Sequence, residues 1–217
     1  MEIEFADLNG NIHIGVSILC TENYALVPIE TPDTLVRLIG STMKVKVVRL
    51  AERIIGSLVV GNSNGFIISN VITKEVVDQI ESTDLPVYQA PEFFAFGNVV
   101  LANDYSGLIS PIVPPSIREN IQRILKVPLT LKTIANSDLV GSLGYITNYG
   151  GLITPLANEE EVKEIKNLLN LHEIGVGSVN KGSEFIASGI IGNSKGMLIG
   201  RETTGIEIME ITRCFSS

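Results

Sequence analysis

Few residues in this chain of 217 could do chemistry by type and spacing. Gly177-Ser178-Val179-Asn180-Lys181-Gly182-Ser183 has the glycine spacing of a phosphate-binding loop. Its lysine comes before the second glycine rather than after it, so the ammonium cannot fold back over a phosphate held by the loop amides. Gly175-x-Gly177 lacks the third glycine that a dinucleotide-binding turn requires. Cys20 and Cys214 lie near opposite ends and form no CxxC pair, which points to two buried thiols rather than a redox or zinc motif. Without HExxH, an EF-hand loop or zinc spacing, no metal or cofactor is expected. What does recur is a short polar turn, Thr21–Ala25, Gly61–Gly65, Asn103–Gly107, Asn148–Gly151 and Gly192–Gly196. Turns gathered at one rim of a rigid scaffold can present a discontinuous binding surface.

The elements that must hold these turns repeat. An apolar run, a small turn and a second apolar run occupy 17–28, 57–69, 98–111, 142–155 and 188–200. With Ala25, Gly65, Gly107, Gly151 and Gly196 taken as equivalent, successive units are 40, 42, 44 and 45 residues apart and fill the chain. Asn62, Asn148 and Asn193 then fall three residues before their glycine, where a tight hairpin is expected to need a left-handed backbone. Asp104 and Glu22 hold that place in the third and first units.

A helix follows each hairpin. Thr31-Pro32-Asp33 opens one with an N-cap and a first-turn proline, Thr73 caps 74–80, Pro114-Pro115-Ser116 precedes 117–125, and Glu159-Glu160-Glu161 suits the positive end of a helix over 158–169. A third strand comes next at 44–50, 129–134 and 173–179, so each unit reads β-β-α-β. After Arg201 the pattern predicts a strand over 206–215 and no full helix, while Met1–Ala6 is a strand without a unit. A closed ring, with the N-terminal strand completing the fifth sheet, accounts for both ends. The expected organisation is one domain with units 12–54, 55–92, 93–136, 137–183 and 184–217 plus 1–11. Strands apolar along their whole length, such as 56–60 and 185–191, imply that both faces are covered.

Composition bounds the partners. Twenty-four acidic against 16 basic residues give a net charge of −8, which argues against a nucleic-acid-wrapping surface. A hydrophobic content of 45% and 18% charged residues exclude disorder. No apolar run approaches the ~18 residues of a spanning helix, and the acidic Met1-Glu2-Ile3-Glu4 is unlike a signal peptide, so a cytoplasmic protein without membrane attachment is expected.

Within this frame Gly97-Asn98-Val99-Val100-Leu101-Ala102-Asn103-Asp104-Tyr105, Leu139-Val140-Gly141-Ser142, Asn148-Tyr149-Gly150-Gly151-Leu152-Ile153 and Val179-Asn180-Lys181-Gly182-Ser183-Glu184 occur in order. From about Ile12 to Phe215 the chain resembles the ribosome anti-association factors of archaea and eukaryotes, the translation initiation factor six family. The resemblance implies the pentein fold, a five-bladed α/β propeller with pseudo-fivefold symmetry. It also implies binding to the large (50S) ribosomal subunit through an L14-type ribosomal protein near the sarcin–ricin loop, a block on association with the small (30S) subunit, and a part in ribosome biogenesis. The absence of the longer eukaryotic tail after Ser217 favours the archaeal branch. By motif match the implied ribosome-binding residues are Asn62 and Asn64, Asn103, Asp104 and Tyr105, and Asn148 and Tyr149, with Asn103→Ser or Tyr105→Ala expected to weaken binding without lowering the melting temperature.

The same fold houses guanidine-modifying enzymes of the arginine deiminase and amidinotransferase type, whose nucleophilic cysteine lies near the C-terminus, so Cys214 keeps an enzymatic alternative open. The supply for it is thin: His172-Glu173-Ile174 lacks the His-x-Asp of those enzymes. Residues 1–54, 55–92, 93–136, 137–183 and 184–217 carry −2, −4, +2, −3 and −1. An acidic face could be steered onto a basic ribosomal protein, with a minor rRNA contact through Arg118, Arg123, Lys126 and Lys132. A monomer is expected, since a closed ring leaves few strand edges.

Overall fold

A computed structural model of the chain describes residues 1–216. Strand β1 (Glu2–Ala6) is followed by the first unit: a one-turn helix α1 (Ile14–Ser17), hairpin β2 (Leu19–Cys20) and β3 (Tyr24–Pro28), outer helix α2 (Asp33–Met43) and strand β4 (Lys46–Leu50). The second unit repeats this as α3 (Ile55–Leu58), β5 (Val59–Asn62), β6 (Gly65–Ile68), α4 (Lys74–Glu81) and β7 (Val87–Gln89). The third comprises α5 (Phe96–Val99), β8 (Val100–Ala102), β9 (Gly107–Ile109), α6 (Pro115–Leu125) and β10 (Leu129–Leu131). The fourth has β11 (Gly144–Ile146), β12 (Gly150–Ile153), α7 (Glu159–Leu169) and β13 (Glu173–Val176). The fifth has a 3-10 turn (Ile186–Gly189), β14 (Ile190–Gly192), β15 (Gly196–Gly200) and α8 (Gly205–Phe215).

These strands form five three-stranded sheets, in each of which an antiparallel hairpin is joined by a parallel third strand. In the fifth sheet that third strand is β1, paired in parallel with β15 from Glu2↔Gly196 to Ala6↔Gly200. The ring is thus closed by the N-terminal strand, as the sequence implied. The fifth unit is not short of a helix, however. Residues 206–215, expected as a strand, form α8, opened by a capping box in which Thr204 and Glu207 satisfy each other's backbone amides. Two further caps differ from expectation. Pro32, not Thr31, is the N-cap of α2, and Thr73 sits at the N-cap of α4 without a side-chain hydrogen bond. Asn158 does cap α7, accepting from the Glu161 amide.

Five apolar clusters make up the core, and each lies between neighbouring sheets rather than within one. Leu101 and Leu108 of the third sheet pack with Ile146 and Ile153 of the fourth, and Val27 of the first packs with Ile191 and Leu198 of the fifth. A single unit therefore cannot bury its own apolar face. Near the axis the one-turn helices crowd against each other. A Cβ on Gly56 would strike the Gly15 carbonyl, one on Gly97 the Gly56 carbonyl, and one on Gly141 the Gly97 carbonyl. These glycines have no positive φ; they are needed for space. Around the axis a cavity of about 90 Å³ remains, lined by these glycines with Cys20 and Tyr145.

Candidate functional site

In each sheet the first strand runs to one rim, turns, and the second strand returns to the opposite rim. All five polar turns therefore share a rim. The hairpin ladders pair Thr21 with Tyr24, Asn62 with Gly65, Asn103 with Ser106, Thr147 with Gly150 and Asn193 with Gly196. The equivalences drawn from sequence are thus one residue out in the first, third and fourth turns: Asn103, Thr147 and Thr21 correspond to Asn62, not Asp104, Asn148 and Glu22.

The expected left-handed backbone is absent from these turns. Among the described residues, positive φ occurs at the helix ends Lys44, Lys126 and Asn170, at Asp84, and in the tight loops at Asn9-Gly10, Ala135-Asn136 and Asn180–Gly182. The turn residues act through their side chains instead. Asn103 Oδ1 accepts from the amides of Tyr105 and Ser106, and its Nδ2 donates across to the Thr147 carbonyl of the next sheet. Asn62 Oδ1 accepts from the Asn64 amide, while its Nδ2 donates to the carbonyls of Asn103 and Leu125. Asn193 does the same toward Thr21 and Met43. Leu125 and Met43 end outer helices of the next unit, so these amides cap carbonyls that a helix end leaves without partners. The hydroxyls of Thr21 and Thr147 do the local half of this work, each accepting from amides of its own turn.

A second belt runs through the following position. Ser63 donates through its amide and hydroxyl to the Asp104 carboxylate, the Asp104 amide donates to Asn148 Oδ1, and Asn148 Nδ2 returns a hydrogen bond to Asp104. Ser194 binds Glu22 in the same way across the closing seam.

The seven candidates therefore share one rim but differ in availability. Asn62 and Asn103 are 3% and 6% exposed, and Asn64 Nδ2 is held by the Leu125 carbonyl. For Asn103 this burial and the bond to the Thr147 carbonyl argue against a thermally neutral substitution. Tyr105 projects, 66% exposed, and half-buried Tyr149 stacks on His172 with centroids 5.2 Å apart. Thr21, Thr147 and Ser194 were missed as members of the same network, and Asn193 and Glu22, though the repeat put them in their turns, were not among the candidates; the register that sorts them depends on which residues close each hairpin.

The cysteines are not poised for attack. Burial pushes the Cys214 thiol up to about 12, against a smaller opposing pull from Arg213, so it stays protonated at neutral pH. The carboxylates beside it, Glu173 and Glu210, are both bound to Arg213, and that pairing holds each below its ordinary range. A substrate guanidinium would find its place already filled. Burial likewise raises the Cys20 thiol, which lies 3.2 Å from Met43 Sδ. The phosphate-loop-like string is also occupied from within: Glu207 accepts from the amides of Lys181 and Gly182 and from the Ser178 hydroxyl.

Residues 3–214 match the model of the eIF-6 family. Translation initiation factor 6 of Methanoculleus marisnigri is 35% identical over 213 residues, covering 96% of each chain. Eukaryotic translation initiation factor 6 of Drosophila melanogaster is 34% identical over 94% of this chain and 87% of its own. Among solved structures, the N-terminal domain of ArgZ, an arginine dihydrolase from cyanobacteria, superposes with a TM-score of 0.51 at 14% identity over 82% of this chain and 80% of its own. At that identity the likeness is one of fold, and the fold is the pentein.

Proposed function

The chain belongs to the eIF-6 family of translation initiation factors, and from that premise we propose that it binds the large ribosomal subunit through its hairpin-turn rim and thereby blocks association with the small subunit. The observation that carries the reading is the build of that rim: Tyr105, an exposed aromatic, stands on a turn fixed across three sheets by the Ser63–Asp104–Asn148 belt. An anchor held in place before contact loses little freedom on binding, and tyrosines are favoured as interface anchors. The partner proposed for it is a basic, L14-type ribosomal protein near the sarcin–ricin loop, toward which a net charge of −8 would steer the factor, with Arg123 and Lys126 available for a minor rRNA contact. Anti-association then needs no chemistry: a rigid body seated on the joining face excludes the other subunit by volume. The protein acts in this reading as a cytoplasmic monomer and not as an enzyme.

Cosedimentation tests it. The wild-type factor is expected with free large subunits on a sucrose gradient and is expected to lower the yield of joined ribosomes. Tyr105→Ala is expected to weaken subunit binding by about tenfold, the effect of losing an interface anchor, with the melting temperature unchanged. Wild-type factor that stays at the top of the gradient in the presence of excess large subunits defeats the proposal.

A further inference from the structure

The rim opposite the hairpin turns carries a different surface. The residues that precede the crowded axial turns, His13, Ile54, Ala95, Leu139 and Phe185, occupy corresponding positions in the five units, and the four that cap a turn share a backbone with φ between −82° and −112°. Successive units pack carbonyl against glycine at this level, so these five positions ring the axis as a collar. His13 Nδ1 lies 3.3 Å from Ser188 Oγ, whose hydroxyl donates to the Phe185 carbonyl, and the Gly141 amide donates to the Asn98 carbonyl, so neighbours in the collar are joined across units. Ile54, Leu139 and Phe185 are 46%, 37% and 42% exposed, unusual for three large apolar groups around one opening.

Among the described residues, the charge just outside the collar that is not ion-paired is acidic. Asp138 and Glu184 immediately precede Leu139 and Phe185, Glu52 stands two residues before Ile54, and Glu92 stands three before Ala95. The nearby cations are already engaged: Arg53 by Glu30, Lys132 by Glu164, Lys181 by Glu202 and Arg201 by Asp7. An apolar centre within an uncompensated carboxylate ring repels RNA, an anionic membrane and a second copy of itself. It matches a polypeptide of the opposite pattern.

We infer that this collar is a second docking site, which takes a basic protein segment whose aliphatic or aromatic side chains enter the collar while its lysines or arginines meet Glu52, Glu92, Asp138 and Glu184. The site lies on the far rim from Tyr105, so it stays open while the turn rim is engaged, and it does not depend on what the turn rim binds.

The probes are a short amphipathic peptide of lysine and leucine, a peptide of equal length and charge with serine in place of leucine, and a glutamate–leucine peptide, titrated calorimetrically at near-physiological salt. The lysine–leucine peptide is expected to bind about tenfold more tightly than the lysine–serine peptide, and the glutamate–leucine peptide not at all. Phe185→Asp is expected to weaken the lysine–leucine complex about tenfold and Glu184→Gln about threefold, both with unchanged melting temperature and unchanged cosedimentation with large subunits. Equal binding of the two lysine peptides, or no loss in Phe185→Asp, overturns the inference. Self-association of the wild type that Phe185→Asp abolishes would make the occupant a second copy and overturns it too.

Discussion

The two rims of the ring use polar and apolar side chains in opposite ways. On the hairpin-turn rim, amides and carboxylates are spent on the protein itself: Asn62, Asn103 and Asn193 join one sheet to the next, and the projecting side chains are Tyr105 with the polar Asn23, Ser194 and Lys195. On the collar rim, the apolar groups Ile54, Leu139 and Phe185 face outward although the chain buries most of its other large side chains. Where a polar group is internally satisfied, its presence in a turn says little about a partner. Where an apolar group stays uncovered at a crowded axis, folding has not used it. The turn rim is thus the seam that holds the ring together, and its binding capacity rests on the few side chains the seam does not consume.

Substitutions separate these roles by size of effect. Asn193→Ala should be the most damaging, because it strips donors from the Thr21 and Met43 carbonyls and an acceptor from two amides at the closing seam. A loss of about 3 kcal/mol, read as a lower denaturant midpoint, is expected from stranding several buried groups at once. Asn103→Ser keeps a short acceptor of the kind Thr147 uses but loses the donor to the Thr147 carbonyl, so about 1–2 kcal/mol is expected to go. If either variant melts like the wild type, the seam reading of the turn rim is wrong.

A smaller, pH-dependent effect belongs to the collar rim. Burial raises the Glu207 carboxyl, but hydrogen bonds from Thr204, Ser178 and Gly182 outweigh it and leave the group below its ordinary 4.5. A carboxylate lowered in the folded state stabilises the fold above its unfolded value, and that contribution fades as the pH falls through the folded one. Glu207→Gln is therefore expected to melt below the wild type at neutral pH, and the gap is expected to close progressively in acid, below about 4.5. A gap independent of pH would show that packing rather than charge is what the substitution disturbs. Smallest of all, Tyr105→Ala and Phe185→Asp are each expected to change stability by under about 0.5 kcal/mol, as befits exposed groups.

Much of the architecture was legible in the sequence because hairpin, outer helix and third strand leave separate marks that recur every 40 to 45 residues. Boundaries of the turns were not, because Asn103-Asp104 and Thr147-Asn148 each offer two polar residues and only the ladder decides which closes the hairpin. The fifth helix was hidden by Ile206-Glu207-Ile208, an alternation that reads as a strand, although Thr204 and Glu207 carried the spacing of a capping box. At the candidate site, residue types located the rim but could not tell an Asn that binds a neighbouring sheet from one that awaits a partner. That difference lies in donors and acceptors more than 40 positions apart in the chain.

The pairing of β1 with β15 has a consequence for synthesis. Strand β1 is made well before it can find its place, since its partner residues Gly196–Gly200 come almost 200 positions later. A growing polypeptide can stack its second, third and fourth sheets in order as they emerge, while residues 2–6 wait as an unpaired edge. Closure then joins ends almost 200 residues apart, an entropic cost that grows only slowly with loop length but must be met in a single step. In the interval that free strand is the natural target for a chaperone, or for the same strand of another newborn chain, which makes swapped rings the expected accident of crowded translation.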